Sequence, residues 1–215
     1  MLNIKRFVCN MFQENCYVVN DDTNECVIID CGALYPEERN AMDDYIRQNA
    51  LVPKHLICTH AHIDHNFGNA FIYDKYGLKP QVCAKDMVLM DKLKEQAHAF
   101  VGMNFDEAQP EVEQAFDEGQ RFAFGNHTLE AILTPGHTPG SVFLYCAEER
   151  LAFSGDTLFR MSIGRTDFEL GSFKDITDSL SKLPSILLKD TIIYPGHGPK
   201  TTLEYEVEYN RYLKF

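Results

Sequence analysis

Positive charge is sparse in this sequence. Its 215 residues carry 20 Lys and Arg against 32 Asp and Glu, a formal net charge of -12 at pH 7. That balance lacks the electrostatic footprint of a protein that grips phosphate backbones, and an anionic membrane surface would repel it. Nucleic acid and membrane are therefore not expected as partners. Long apolar runs are missing too. No stretch of 18 apolar residues occurs, so no transmembrane helix is expected. The opening MLNIKRFVCNMF interrupts its short apolar runs with Lys5 and Arg6 and does not read as a signal peptide. No CxxC pair exists. The 7 cysteines are odd in number and scattered, many in apolar stretches such as HLIC and FLYC. The reading is reduced, buried cysteine in a cytoplasmic protein, without a disulfide framework or a cysteine metal site. Short repeats and low-complexity linkers are absent as well. The chain reads as one domain over residues 1–215, with 45% hydrophobic residues to fill its core.

What is present is an alternation of strands and helices. IKRFV, CYVVN and CVIID are β-branched or aromatic runs and read as strands. PEERNAMDDYIRQN follows. Pro36 suits a first helical turn, Glu37 and Glu38 suit the positive helix end, and Ala41, Met42, Tyr45 and Ile46 recur with helical spacing. KHLICTH is a strand that opens onto a histidine-rich stretch. NAFIYDKYG is predicted as a helix closed by Gly77, and residues 86–99 as a helix capped by Asp86. GMNFDEAQPEVEQAFDEG is polar and loop-like, a candidate flap over a site. QRFAF, HTLEAILT, SVFLYCA and RLAFSG are strands in close succession. SFKDITDSLSKL is a helix capped by Ser172, TIIYPG a strand, and TLEYEVEYNRYL an amphipathic helix. This order implies a layered α/β or α+β fold with helices over sheet faces.

Five of the 8 histidines fall just beyond predicted strand ends. THAHIDH (59–65) holds His60, His62 and His65, together with Asp64. His137 lies in TPGHTPGS and His197 in YPGHGPK, while Asp156 follows a strand in SGDTLF. Loops beyond strand ends are where layered α/β folds bind ligands. His60 and His62 are two apart, so in an extended segment both can face one ion. Asp64 and His65 follow as the chain turns and can face a neighbouring point. Four ligand-type residues in so short a run are too many for one catalytic zinc, which takes three protein ligands and keeps a place open. Imidazole suits zinc, iron and similar ions, and a carboxylate can bridge two of them. Asp30, in IIDCG, is read as supporting a ligand or capping a loop. His55, His98 and His127 are read as structural or surface residues.

THAHIDH, TPGHTPGS, SGDTLF, GRTDF and YPGHG together resemble the metallo-β-lactamase superfamily, and within it the short bacterial glyoxalase II-like hydrolases. The resemblance implies an α/β fold, a four-layer αββα sandwich, with the metal site at one edge. It implies that His60, His62 and His137 bind a first divalent ion and Asp64, His65 and His197 a second. Asp156 then bridges them, and Asp64 orients the attacking water or takes its proton. Zinc is the first expectation for both ions, with iron and manganese as alternatives. Ala61 and His62 depart from the flavodiiron oxygen and nitric oxide reductases. His65, where many true β-lactamases have arginine, departs from dedicated lactamases.

The activity so implied is hydrolysis of a small-molecule thioester, such as S-lactoylglutathione, by a metal-activated hydroxide. Glyoxalase II proper is longer and uses a C-terminal helical domain for glutathione, and Asn210-Arg211 stands where an Asn-Pro is expected. Arg160, Arg165 and Lys200 are the candidates for meeting an anionic substrate. The rival reading is a mononuclear iron persulfide dioxygenase of the same fold, using His60 or His62, His137 and Asp156. A non-catalytic metal-binding module is the third reading. Nothing in the sequence specifies an oligomeric state.

Overall fold

The computed structural model describes residues 1–214, which form two six-stranded sheets packed face to face. One sheet comes from the first half of the chain. Its strands β1 (Asn3–Cys9), β2 (Glu14–Asn20), β3 (Glu25–Ile29), β4 (Val52–Ile57), β5 (Pro80–Cys83) and β6 (Gln114–Phe116) lie side by side in sequence order. The first three are antiparallel and the rest parallel. The parallel crossovers carry α1 (Pro36–Gln48), α2 (Asn69–Tyr76), α3 (Met87–Met90) and α4 (Leu93–Val101). The other sheet begins as an antiparallel meander of β7 (Arg121–Phe124), β8 (His127–Leu133), β9 (Val142–Cys146) and β10 (Leu151–Gly155). A small hairpin of β11 (Leu158–Phe159) and β12 (Ser162–Ile163) and helix α5 (Phe173–Ile186) follow. Then β13 (Ile192–Pro195) joins parallel to β10, β14 (Thr201–Thr202) pairs with β13, and α6 (Leu203–Tyr209) completes the helices.

The period-two alternation decides what each sheet face meets. Tyr17, Val19, Val27 and Ile29 point across to Phe122, Leu129, Leu144 and Phe153 of the opposite sheet. Their neighbours Cys16, Val18, Cys26 and Ile28 point the other way, onto Met42 and Ile46 of α1 and Phe71 and Ile72 of α2. In the second sheet Phe143 and Ala152 turn outward onto Ile176, Leu180 and Leu183 of α5. Both faces of both sheets are thus covered, which gives the expected αββα sandwich. Each fully buried Leu, Ile or Phe in these layers contributes roughly 1.5–3 kcal/mol.

Helix ends follow local chemistry. Gly77 closes α2 with φ +71, and the Ser172 hydroxyl accepts from the Asp175 N–H to start α5. Three readings need correction. Residues 86–99 are not one helix: α3 and α4 are separate, and Asp86 caps neither through its side chain. Its carboxylate is drawn away by buried donors from two other loops. The stretch 102–119 is a loop apart from β6, but it does not line the cavity at the histidines, and it is tied down elsewhere: Phe105 packs on Phe67 at 5.3 Å, and Glu107 forms a bidentate pair with Arg39. The last helix stops at Tyr209, because the buried Asn210 turns the chain by accepting from the Tyr212 N–H. Among the described residues, no helix is long and apolar enough to cross a membrane.

Candidate metal centre

Four chain segments converge at one edge of the sandwich. β8, β10 and β13 run the same way, so the loops carrying His137, Asp156 and His197 leave the second sheet together. The loop after β4, with His60 to His65, meets them from the first sheet. The Val142 N–H donates to the Thr59 carbonyl across the two sheets. Gly155 and Gly196 allow the approach. A Cβ on Gly155 would collide with the Thr59 hydroxyl, and one on Gly196 with Asp156 and His65.

All seven predicted ligands come together here, in overlapping sets within ligand distance: His60, His62 and His137; His60, His65 and Asp156; Asp64, His65 and His197. His62 Nδ1 and His137 Nε2 are 2.8 Å apart. Asp156 faces both sides, with Oδ1 3.4 Å from His65 Nε2 and Oδ2 3.6 Å from His137 Nε2 and 3.5 Å from His197 Nε2. Asp64 Oδ2 lies 3.2 Å from His197 Nε2 and 3.7 Å from His65 Nε2.

The outer nitrogens fix which ring atoms face inward. His60 Nδ1 meets the Thr59 hydroxyl, His65 Nδ1 meets Asp30, His137 Nδ1 meets the Arg165 carbonyl, and His197 Nδ1 meets the Phe12 carbonyl. Such partners set the tautomer and aim of metal-bound imidazoles. On the inner side, His60 Nε2, His65 Nε2 and Asp156 Oδ1 are buried with no hydrogen-bond partner. A buried polar atom without a partner is costly, so an inward-facing ring of them fits divalent cations.

The electrostatics split the centre in two. Burial, joined by neighbouring imidazoles, holds His60 well below the ordinary histidine value and brings His62 to about 3. Both are neutral lone-pair donors at pH 7. The other half is carboxylate-rich. Burial alone would push Asp64 and Asp156 up, but the His65 charge and His197 hold both below the ordinary value. The same carboxylates, with Asp30, overcome burial and raise His65.

The ligand loop is held by many hydrogen bonds to its backbone. Asp30 accepts from the Thr59 N–H and hydroxyl, both at 2.7 Å. Its backbone lies in the left-handed region at φ +50, a strained conformation of the kind that clusters at functional sites. Gln96 accepts from the Ile63 N–H and donates to the Ala61 carbonyl; Asn66 donates to the His60 and His62 carbonyls, and Asn10 to Asp64. Asp86, fully buried, accepts from the Ala61 N–H, the Thr138 hydroxyl and the Gly140 N–H, and so ties the first ligand loop to that of His137. Sequence reasoning missed this use of Asp86 and also missed Glu14. Glu14 is wholly buried 3.8 Å from His65 with both oxygens unpartnered, and burial raises its carboxyl well above the ordinary value. A polar residue just beyond β5 was the available signal for Asp86; the buried place of Glu14 beside His65 and Asp30 arises only in three dimensions.

Of the three basic candidates, Arg165 alone lines the central cavity. Arg160 and Lys200 line a separate cleft with Tyr205, because Arg160 lies over the Tyr205 ring and Lys200 over Tyr194. His55 bonds Gln81 and the Ala123 carbonyl, His127 bonds Asp21 and Glu149, and His98 is exposed on α4. None of these three belongs to the centre.

Residues 9–197 match the metallo-beta-lactamase superfamily. The chain belongs to that superfamily. It is 33% identical to the hydroxyacylglutathione hydrolase GloC of Haemophilus influenzae, over 99% of this chain and 98% of that protein. Among solved structures it is similar to the B3 metallo-beta-lactamase BLEG-1, with TM-score 0.89 and 30% identity over 99% of this chain and all of that one. It is also similar to TTHA1623 in its di-iron-bound form, with TM-score 0.85 and 33% identity over 97% of this chain and all of that one. Membership makes the protein a metal-dependent hydrolase by family, and the residues present fit divalent metals.

Proposed function

We propose that the protein is a binuclear thioester hydrolase that works on a small molecule in the cytoplasm. His60, His62 and His137 would hold one divalent ion, Asp64, His65 and His197 the other, and Asp156 would face both. Zinc is the first choice, and iron or manganese suits the same donors. The observation that carries the reading is the continuous row of inward ligand atoms shared through Asp156, three of them buried and unpartnered. The 7 cysteines, all buried and free, support a reducing compartment.

Divalent ions held there would supply Lewis acidity, lowering the pKa of water and stabilising negative charge on a carbonyl oxygen. The protein's own groups do the rest. Asp64 is held ionised at the edge of the centre, where it can orient a nucleophilic water and take its proton. Asp30 and the Arg165 and Phe12 carbonyls keep the imidazoles aimed. With the inward carboxylates and imidazoles all taken as ligands, no strong acid is left for a leaving group, which favours one that needs none, and a thiolate is such a group.

The test is metal analysis beside turnover of S-lactoylglutathione, simple acyl thioesters and a β-lactam. Two metals per chain with thioester cleavage is the expected result. With both halves loaded, no thioester cleavage would refute the proposal. One iron per chain with persulfide-dependent oxygen uptake would replace it with the dioxygenase reading, and full metal loading without turnover would leave a binding module.

A further inference from the structure

The metal centre opens into a cavity of about 390 Å³ that includes its ligands His62, Asp64, His137, Asp156 and His197 in the lining, within the range of small-molecule sites. Its walls are aromatic on both sides. Phe100 and Phe168 pack on each other at 5.1 Å and flank His62 at 6.0 and 5.3 Å. At the other end Phe159 lies 6.1 Å from His197, whose Nδ1 meets the Phe12 carbonyl, and Ile163 continues that wall. Phe12 and Phe100 are 38% and 37% exposed, so both rims present apolar surface to solvent. Aromatic rings left half in water beside a catalytic cavity gain from covering by an apolar ligand.

Charge is the weaker guide. Arg165 is the one basic side chain, other than the histidines, among the residues lining the cavity. Its guanidinium lies 4.2 Å over the Phe168 ring and is bound in bidentate fashion by Asp167, at 2.8 and 2.9 Å. Both partners of that pair are largely exposed, so it is a weak surface pair that leaves the guanidinium within reach of solvent and substrate. Asp64 and Asp156 would be ligands of divalent ions, whose charge exceeds theirs. Charge in the lining therefore selects less than the aromatic walls do.

We propose that the preferred substrate is a thioester with apolar groups on both arms, and not a small-acyl glutathione conjugate. This rests on the hydrolase reading and specifies its substrate class. With the carbonyl at the centre, one arm enters the Phe100–Phe168 lobe and the other the Phe12–Phe159–Ile163 lobe. The reaction cleaves the C–S bond with water: the acyl carbon gains the oxygen, the sulfur leaves with the electron pair and is protonated as thiol, and an acid is released.

The test uses the metal-loaded protein and thioesters of N-acetylcysteamine, a neutral thiol. The phenylacetyl thioester should exceed the acetyl thioester by about tenfold or more in kcat/KM, as burying apolar groups in a fitted pocket does. The phenylacetyl thioester should also be cleaved more efficiently than S-lactoylglutathione. Phe168→Ala and Phe100→Ala should each shrink the phenylacetyl-to-acetyl ratio, and Phe168→Leu should keep most of it. A ratio near one in the parent, or a preference for lactoylglutathione, would overturn the proposal. Binding of non-hydrolysable thioethers, measured by calorimetry, separates this from the reaction itself. If no thioester is cleaved the hydrolase reading falls, while an S-benzyl thioether binding no tighter than its S-methyl counterpart refutes the apolar lobes directly.

Discussion

His127 and His60 have similar neighbours, carboxylates and aromatic or imidazole rings, and opposite accounts of their nitrogens. His127 has both nitrogens engaged, Nδ1 with Asp21 and Nε2 with Glu149, each at 3.0 Å. His60 has Nδ1 beside a hydroxyl and Nε2 buried with nothing to meet. The first cluster is complete without a ligand. The second is built around an open point that three side chains leave unsatisfied. Burial and histidine content do not tell such clusters apart; the balance of donors and acceptors does.

The strongest way to break this contrast is Asp156→Asn, which weakens the group facing both halves. Turnover should fall by about 10²–10³-fold or more, with metal lost from both halves. Near-normal metal content and activity in this variant would refute the shared role. Asp64→Asn should be more selective. It should keep the fold and one ion per chain while losing most turnover, and two ions at full activity would refute its assignment. Chelation should lower the melting temperature of the parent, and added metal should restore it, because an ion bound only to the folded state stabilises it by mass action. In Asp64→Asn the recovery should be partial.

Asp86→Ala tests a residue that no ion would touch. Removing the acceptor for three buried donors should cost about 3 kcal/mol or more. It should also weaken metal binding by roughly 10–100-fold, as loss of a supporting partner does. Unchanged metal affinity would leave Asp86 as a purely structural clamp.

The smallest effect belongs to the control cluster. His127→Ala should leave metal content and turnover alone and cost about 1–2 kcal/mol of stability. Its pH dependence has a definite sign. Bonds to Asp21 and Glu149 outweigh burial and raise His127 above its ordinary 6.5, so its contribution is full below that value and lost as pH rises through the raised one. Asp21 and Glu149 are held below the ordinary carboxylate range. Asp21 is lowered by Thr23, Asn126 and His127 against burial; for Glu149, His127 is the main cause. Their contribution is lost as pH falls through those depressed values. The difference in melting temperature between parent and variant should therefore be widest between about pH 4.5 and 6.5. A difference that keeps growing above pH 8 would refute this account.

Much of this was legible in the sequence for a simple reason. His60, His62, Asp64 and His65 lie on one short loop, and His137, Asp156 and His197 each follow a strand, so periodicity and strand ends located them. The αββα layering was legible through the resemblance, and the inner strands β2, β3 and β10, buried on both faces, agree with it. What stayed hidden depends on distant partners. Asp86 looks like a helix cap until Thr138 and Gly140 are seen to claim it. Arg160 and Lys200 look like anion contacts until Tyr205 and Tyr194 are seen to hold them elsewhere. The aromatic lobes gather Phe12, Phe100, Phe159 and Phe168 from four segments with no common motif.

The contact between the start of β2 and the loop after β13 has a temporal consequence. Glu14 and His197 form an isolated β-bridge, and the His197 ring is steered by the Phe12 carbonyl, 185 positions away in the chain. A closure that long is slow to form. His62 needs His137 from the second sheet, but His65 and Asp64 need a residue from still later in the chain, and His197 can be aimed only after both sheets have docked. The carboxylate-rich half is thus completed only when the sandwich has closed.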